Sequence, residues 1–105
     1  MNNTDKERII ETILSIKNDC HYLNSITSET ELKHEHKRIC SKYDIMILGE
    51  GLNTIYSNEL ASYLNIDNQQ MSKLLQPIAN ELNLVIKPFH TLSTGEFDGY
   101  SITLF

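Results

Sequence analysis

The sequence predicts an α+β fold, in which two N-terminal helices precede a pair of short helices and a C-terminal β-hairpin. Three observations lead to this prediction. Apolar residues recur at helical spacing near the N-terminus, NELASYLNIDNQQMSKLL (58–75) has the pattern of two short helices joined by a polar turn, and the apolar period changes to two after Leu82. At 105 residues the chain is long enough to form one domain, 1–105, with its own core.

A long amphipathic helix is predicted from Asp5 to about Leu23. Its apolar stripe repeats at alternating intervals of four and three residues. The members of the stripe are Ile9, Ile13, Ile16, Cys20 and Leu23. This spacing fits a helix packed on its own domain and equally the seam of a short two-stranded coiled coil. We expect residues 1–50 to form N-terminal helices, of which the first helps to form a homodimer.

A second helix is predicted to begin near residue 29, because Ser28 and Glu31 have the spacing of a capping box. Its thinner apolar stripe extends into IMIL (45–48), a segment apolar enough to be buried on nearly all sides. The stripe consists of Leu32, Ile39, Tyr43 and Met46. The glycines of GEG (49–51) are predicted to end this helix, and NTIY (53–56) to be a short extended segment.

Residues 57–82 are predicted to form the two short helices. Ser57 is a suitable N-cap for the first, and Asp67 together with Gln70 for the second. Pro77 falls inside the second helix, where it removes one backbone hydrogen bond. We therefore expect a kink there, or a helix that ends near Gln76 and restarts.

The last part of the chain is predicted to be a β-hairpin. NLVIKPFHT (83–91) and YSITLF (100–105) have apolar residues at alternate positions, and they flank STGEFDG (93–99), which has the composition of a turn. Pro88 has no amide hydrogen to donate to a neighbouring strand. The strand that contains it is therefore predicted to be an edge strand or to be interrupted there.

The segment 54–105 resembles the winged helix-turn-helix family. The pattern ELASYLNI…MSKLL, followed directly by a hairpin, carries this resemblance. Asn65 and Asn83 occupy positions where the family often has glycine, and asparagine is the side chain that best tolerates a left-handed backbone there. The resemblance implies a small transcriptional regulator of bacterial, phage or plasmid type that binds double-stranded DNA sequence-specifically as a dimer.

If the family's function applies, the polar face of the second short helix enters the major groove. Amide side chains pair with adenine, and lysine pairs with guanine or a phosphate. The residues expected to contact bases are Asn68, Gln69, Gln70, Ser72, Lys73 and Gln76. A solvated helix face also has this composition, so the pattern by itself leaves both interpretations open.

Charge is distributed unevenly. Residues 43–105 contain only two basic residues against seven acidic ones, which places the whole net charge of −5 in the half that resembles a DNA-binding domain. The segment KHEHKRICSK (33–42) contains four basic residues, and it would supply the missing cations if the second helix lies next to the recognition helix. The residues expected to contact phosphates are Lys37, Arg38, Lys42 and Lys87. Since phosphate contacts dominate affinity, we expect modest, salt-dependent binding at a specific site.

An acidic protein-interaction module is the alternative function. Acidic surfaces dock on basic partners or occupy a DNA-binding site by mimicry. Phe89, Phe97 and Phe105 would then be candidate anchors for the partner. The position of segment 33–42 separates the two hypotheses: next to the second short helix it favours DNA, and on the opposite face it favours a protein partner.

Other kinds of site are less well supported by the sequence. His36 and Cys40 share a helix face and could bind a metal with Cys20 or His21, but there is no Cys-x-x-Cys pair, so we expect neither a metal nor another cofactor. No orienting group or phosphate-binding loop accompanies the cysteines, so we expect no enzyme activity. The chain shows neither an apolar run long enough to span a membrane nor a signal-peptide core, and we expect a cytoplasmic protein.

Overall fold

The structure of the protein is a computed structural model that describes residues 3–105. Over these residues the chain forms an α+β domain of four helices and a three-stranded antiparallel sheet. The elements in chain order are α1 (Asn3–Ser25), α2 (Glu29–Tyr43), β1 (Thr54–Tyr56), α3 (Ser57–Leu64), α4 (Asn68–Leu82), β2 (Val85–His90) and β3 (Phe97–Thr103). None of the helices in this range has the length and apolarity that crossing a membrane requires.

The sheet has the strand order β1-β3-β2, so the last strand of the chain lies in the middle. Ile102 of β3 pairs with Ile55 of β1 on one side and with Ile86 of β2 on the other. Ile55 and Ile102 are fully buried, which fixes the register because a shift of one residue would expose both. Pro88 lies on the edge strand β2, as predicted, where its missing amide hydrogen is tolerated.

Helix α1 packs against α2, α3 and α4. All five residues of its predicted stripe, from Ile9 to Leu23, are completely buried in the core of this chain. The prediction of an amphipathic helix is confirmed. The stripe itself is not the seam of a coiled coil, because it is packed inside this chain, and the expectation that α1 helps to form a homodimer stays a prediction.

Helix α2 begins where the capping box predicts, with the Ser28 hydroxyl accepting a hydrogen bond of 3.3 Å from the Glu31 amide. Its predicted end at the glycines 49–51 is wrong. The helix ends at Tyr43 because Asp44 adopts a left-handed conformation (φ 53°), from which its amide donates to the carbonyls of the last turn. Residues 45–47 lie outside any helix, with Ile45 and Ile47 buried and Met46 exposed instead of being part of the helical stripe, and Leu48 forms an isolated bridge with Thr54.

Helix α4 continues through Pro77 to Leu82, so of the two predicted alternatives an end near Gln76 does not occur, and a kink at Pro77 stays a prediction. Asn83 caps its C-terminus in the left-handed conformation (φ 56°), as its substitution for a family glycine predicts. The Asn83 amide donates to the Ala79 carbonyl and so satisfies one of the free carbonyls of the last turn.

Candidate functional site

The turn between α3 and α4 is held by local caps at both ends. Asn65 ends α3 in a left-handed conformation (φ 56°), and the Ile66 amide donates to Ala61 in the preceding helix. The Asp67 carboxylate accepts hydrogen bonds of 3.1 and 3.3 Å from the amides of Gln69 and Gln70, which confirms the predicted N-cap. A fixed turn of this kind sets the direction in which α4 leaves α3.

Helix α4 has one buried face and one exposed face. Its buried residues are Met71, Leu75, Ile78 and Ala79. At 100° per residue, Gln69, Lys73 and Gln76 lie on the opposite side, and all three are exposed. Gln70 is half-buried and lies on the flank that faces away from Asn68 and Ser72. The exposed side of α4 is called the α4 surface below.

A polar junction joins the hairpin to α3 and α4. Asn68 donates from Nδ2 to the Asp98 carbonyl at 3.2 Å, and Asn58 donates from Nδ2 to the Asp98 carboxylate at the same distance. The Ser57 hydroxyl accepts a hydrogen bond of 2.8 Å from the Tyr100 amide. These contacts fix strand β3 against the start of both helices.

Ser57 is therefore not the N-cap of α3, and that prediction is wrong. Tyr56 occupies the N-cap position without a side-chain hydrogen bond, and Ser57 is completely buried as the first residue of the helix. Its hydroxyl is bound to strand β3 instead of to its own helix.

The six residues predicted to contact bases differ in how available their side chains are. Asn68 is bound to the hairpin, Ser72 donates to the Asn68 carbonyl at 3.0 Å, and Gln76 donates to the Tyr100 hydroxyl at 2.8 Å. Within residues 3–105, the side chains of Gln69 and Lys73 make no hydrogen bond or ion pair. Gln69 and Lys73 are thus the members of the set that are exposed and free to bind a ligand.

A groove of about 260 Å³ separates α4 from the start of β3. It is lined by Asn68, Gln69, Ser72, Lys73 and Phe97. Phe97 is 49% exposed, and its ring is held edge-on by Tyr100 and His90 at centroid distances of 5.2 and 6.0 Å. Sequence analysis proposed Phe97 only as an anchor for a protein partner, because nothing local shows that it lies beside α4.

Two of the four predicted phosphate-binding residues form ion pairs with acidic side chains. Arg38 is paired with Glu35 at 2.8 Å, where it lowers the pKa of that carboxyl, and Lys42 is paired with Asp19 of α1 at 3.4 Å. Lys37 lines a different, more open groove of about 460 Å³, between α2 and α3. Lys87 is exposed on the hairpin.

Helix α3 contacts both the end of α2 and the hairpin. At the end of α2, the ring of Tyr43 meets Tyr63 of α3 edge-on at 5.6 Å. Asn58 projects from a different flank of α3 towards Asp98 of the hairpin. Lys33, Arg38 and Lys42 of segment 33–42 form ion pairs with Glu29, Glu35 and Asp19, and the hypothesis that the segment supplies cations to the α4 surface stays a prediction.

The candidate metal ligands are not brought together. In the part of the chain that the structure describes, no group of three or more His, Cys, Asp or Glu side chains is arranged to hold a metal ion. Cys20 is completely buried, and burial raises the pKa of its thiol to about 12. His36 uses Nε2 for a hydrogen bond of 3.0 Å to the Ile47 carbonyl, and burial also raises the pKa of Cys40. Both thiols are therefore weak nucleophiles at neutral pH.

A comparison of the chain with protein-family models, curated proteins and solved structures gave no match. A proposal for the function therefore has to be based on the chemistry of the α4 surface. The surface presents an amide at Gln69 and an ammonium at Lys73, both hydrogen-bond donors, beside the apolar ring of Phe97. The two donors and the aromatic ring together match a planar group that has hydrogen-bond acceptors on its edge.

Proposed function

We propose that this protein is a winged helix-turn-helix domain that binds double-stranded DNA sequence-specifically and regulates transcription. One observation carries the proposal: α4 is held by the turn before it and by the hairpin beside it, while Gln69 and Lys73 point outward without an internal partner. An exposed helix of this kind fits the major groove, where amide and ammonium groups distinguish base pairs. The hydrogen bonds of Asn68 to Asp98 and of Gln76 to Tyr100 support the proposal because they hold the hairpin next to α4.

Few cations accompany the α4 surface. Lys73 lies on it, Lys87 lies on the hairpin, and the other predicted phosphate contacts are on α2. Binding through these two lysines would give a slope of log K against log [salt] of about −2 for each chain. Affinity must then come largely from contacts with bases, so binding to random DNA should be weak.

Selection from a random duplex library at low salt tests the proposal. We expect enrichment of a defined site, and an enriched inverted repeat would show that two copies bind together. Gln69→Ala should cost about 1–3 kcal/mol at that site and little on random DNA, because a lost base contact affects only the correct sequence. The exposed amide of Asn18 on α1 offers the control: Asn18→Ala should leave both affinities unchanged. Equal losses on both DNAs in Gln69→Ala would contradict a base contact.

An acidic protein-interaction module is the second candidate. It is favoured by the charge of residues 43–105, which contain seven acidic residues and two basic ones, and by the pairing of Arg38 and Lys42 with the acids Glu35 and Asp19. A folded protein that enriches no duplex at low salt would contradict DNA binding and support this candidate. A basic partner bound by the hairpin should then be lost in both Phe97→Ala and Glu96→Gln, two exposed positions of the hairpin.

A further inference from the structure

The groove between α4 and the hairpin has walls of opposite chemistry. Phe97 forms an apolar wall on the β3 side, and Gln69 and Lys73 present hydrogen-bond donors on the α4 side. The ring of Phe97 is half exposed, yet its contacts with Tyr100 and His90 hold it in place. An aromatic side chain that is already ordered loses little conformational entropy when it binds a ligand.

Thymine is the base whose edge matches both walls. In the major groove it displays the O4 acceptor next to the C5-methyl group, whereas cytosine displays an amino donor and has no methyl group. A methyl group packs on an aromatic ring, and an ammonium donates to a carbonyl oxygen. The groove therefore fits an acceptor and a methyl group side by side, which is the pattern that thymine presents.

We propose that Phe97 is a specificity-determining residue that contacts the C5-methyl group of a thymine while Lys73 donates to the O4 of the same base. This inference rests on the proposed DNA binding. It adds a base contact from the hairpin that the six α4 residues predicted from sequence do not include. It also assigns Lys73 to a base edge, with its charge close to the neighbouring phosphate.

Replacing thymine by uracil in the bound duplex tests the contact without changing the protein. Each thymine of the selected site is replaced in turn by deoxyuridine, which removes the methyl group alone. We expect one position at which the substitution weakens binding about fourfold, the effect of removing one buried methyl group. In Phe97→Ala, thymine and deoxyuridine at that position should bind equally.

Leu92→Ala is the matched control, because Leu92 is fully exposed on the same hairpin and does not line the groove. This variant should retain the fourfold preference for thymine. Lys73→Ala should weaken binding to the thymine and the deoxyuridine duplexes by the same factor, since O4 is present in both.

The outcomes separate this inference from the proposed function. Selection without any enriched duplex would overturn both. An enriched duplex that binds equally well with deoxyuridine at every position would overturn the thymine contact and leave DNA binding intact. A thymine preference that persists in Phe97→Ala would also overturn the contact, because another residue would then recognise the methyl group.

Discussion

Replacing Gly99 by alanine should destabilise the junction between β3 and the helices. Gly99 has φ +125°, a conformation that residues with a side chain rarely adopt. A β-carbon at this position would also collide with the Ser57 hydroxyl, which accepts a hydrogen bond from the Tyr100 amide. The substitution therefore adds backbone strain and breaks a hydrogen bond at the same point.

The size of the effect follows from these two contributions. A strained backbone conformation costs about 1–3 kcal/mol. Leaving the Tyr100 amide without its partner costs about 1–3 kcal/mol more. The free energy of unfolding should fall by about 2–6 kcal/mol, a large share of the stability of a small domain.

Urea denaturation followed by circular dichroism measures this loss, and Ser57→Ala tests its cause. Ser57→Ala alone leaves the same amide unsatisfied and should cost about 1–3 kcal/mol. The double variant should lose less than the sum of the single losses, by about 1–3 kcal/mol, because the broken hydrogen bond is common to both. Additive losses would refute the collision with Ser57.

Three further predictions concern the core, the buried thiol and the lysines. Ile13→Ala should lower the free energy of unfolding by about 2–5 kcal/mol in urea, whereas Leu14→Ala, at a half-exposed neighbour, should cost much less. The pKa of Cys20 is raised from 9.0 to about 12 in the folded protein, so its contribution to stability is present below pH 9 and is lost as the pH rises towards 12. Stability should therefore fall less steeply in Cys20→Ala over this range, and equal slopes would contradict the assignment. Lys73→Ala should reduce the salt slope of DNA binding by about 1 and Lys37→Ala should not change it; the reverse result would place the DNA against α2.

The sequence patterns predicted correctly those elements that are stabilised by residues close to one another in the sequence. The stripe of α1 fixed its buried face, and Asp67, Asn65 and Asn83 cap helices as their chemistry predicts. The predicted end of α2 failed because the apolar run 45–48 suits a buried extended segment as well as a buried helix. Its alternating burial reflects contacts with distant parts of the fold, which a local pattern does not contain.

The candidate site was predicted less completely, because its partners are far apart in the sequence. Helical spacing alone identified Gln69 and Lys73 as exposed. It could not show that Gln76 is bound to Tyr100, 24 residues away, or that Ser57 is bound to an amide 43 residues away. For the same reason, the sequence did not show that Phe97 of β3 lines a groove together with residues of the α4 surface.

The central position of β3 has a consequence for synthesis on the ribosome. Strand β3 lies between β1 and β2 and pairs with both, and Thr54 of β1 pairs with Thr103. The sheet can therefore form only after residue 103 has left the exit tunnel, so β1 has unpaired edges from the time it emerges until β3 follows. Unpaired edges of this kind invite association between chains. The chain is thus most exposed to aggregation in the interval between the emergence of β1 and the emergence of β3.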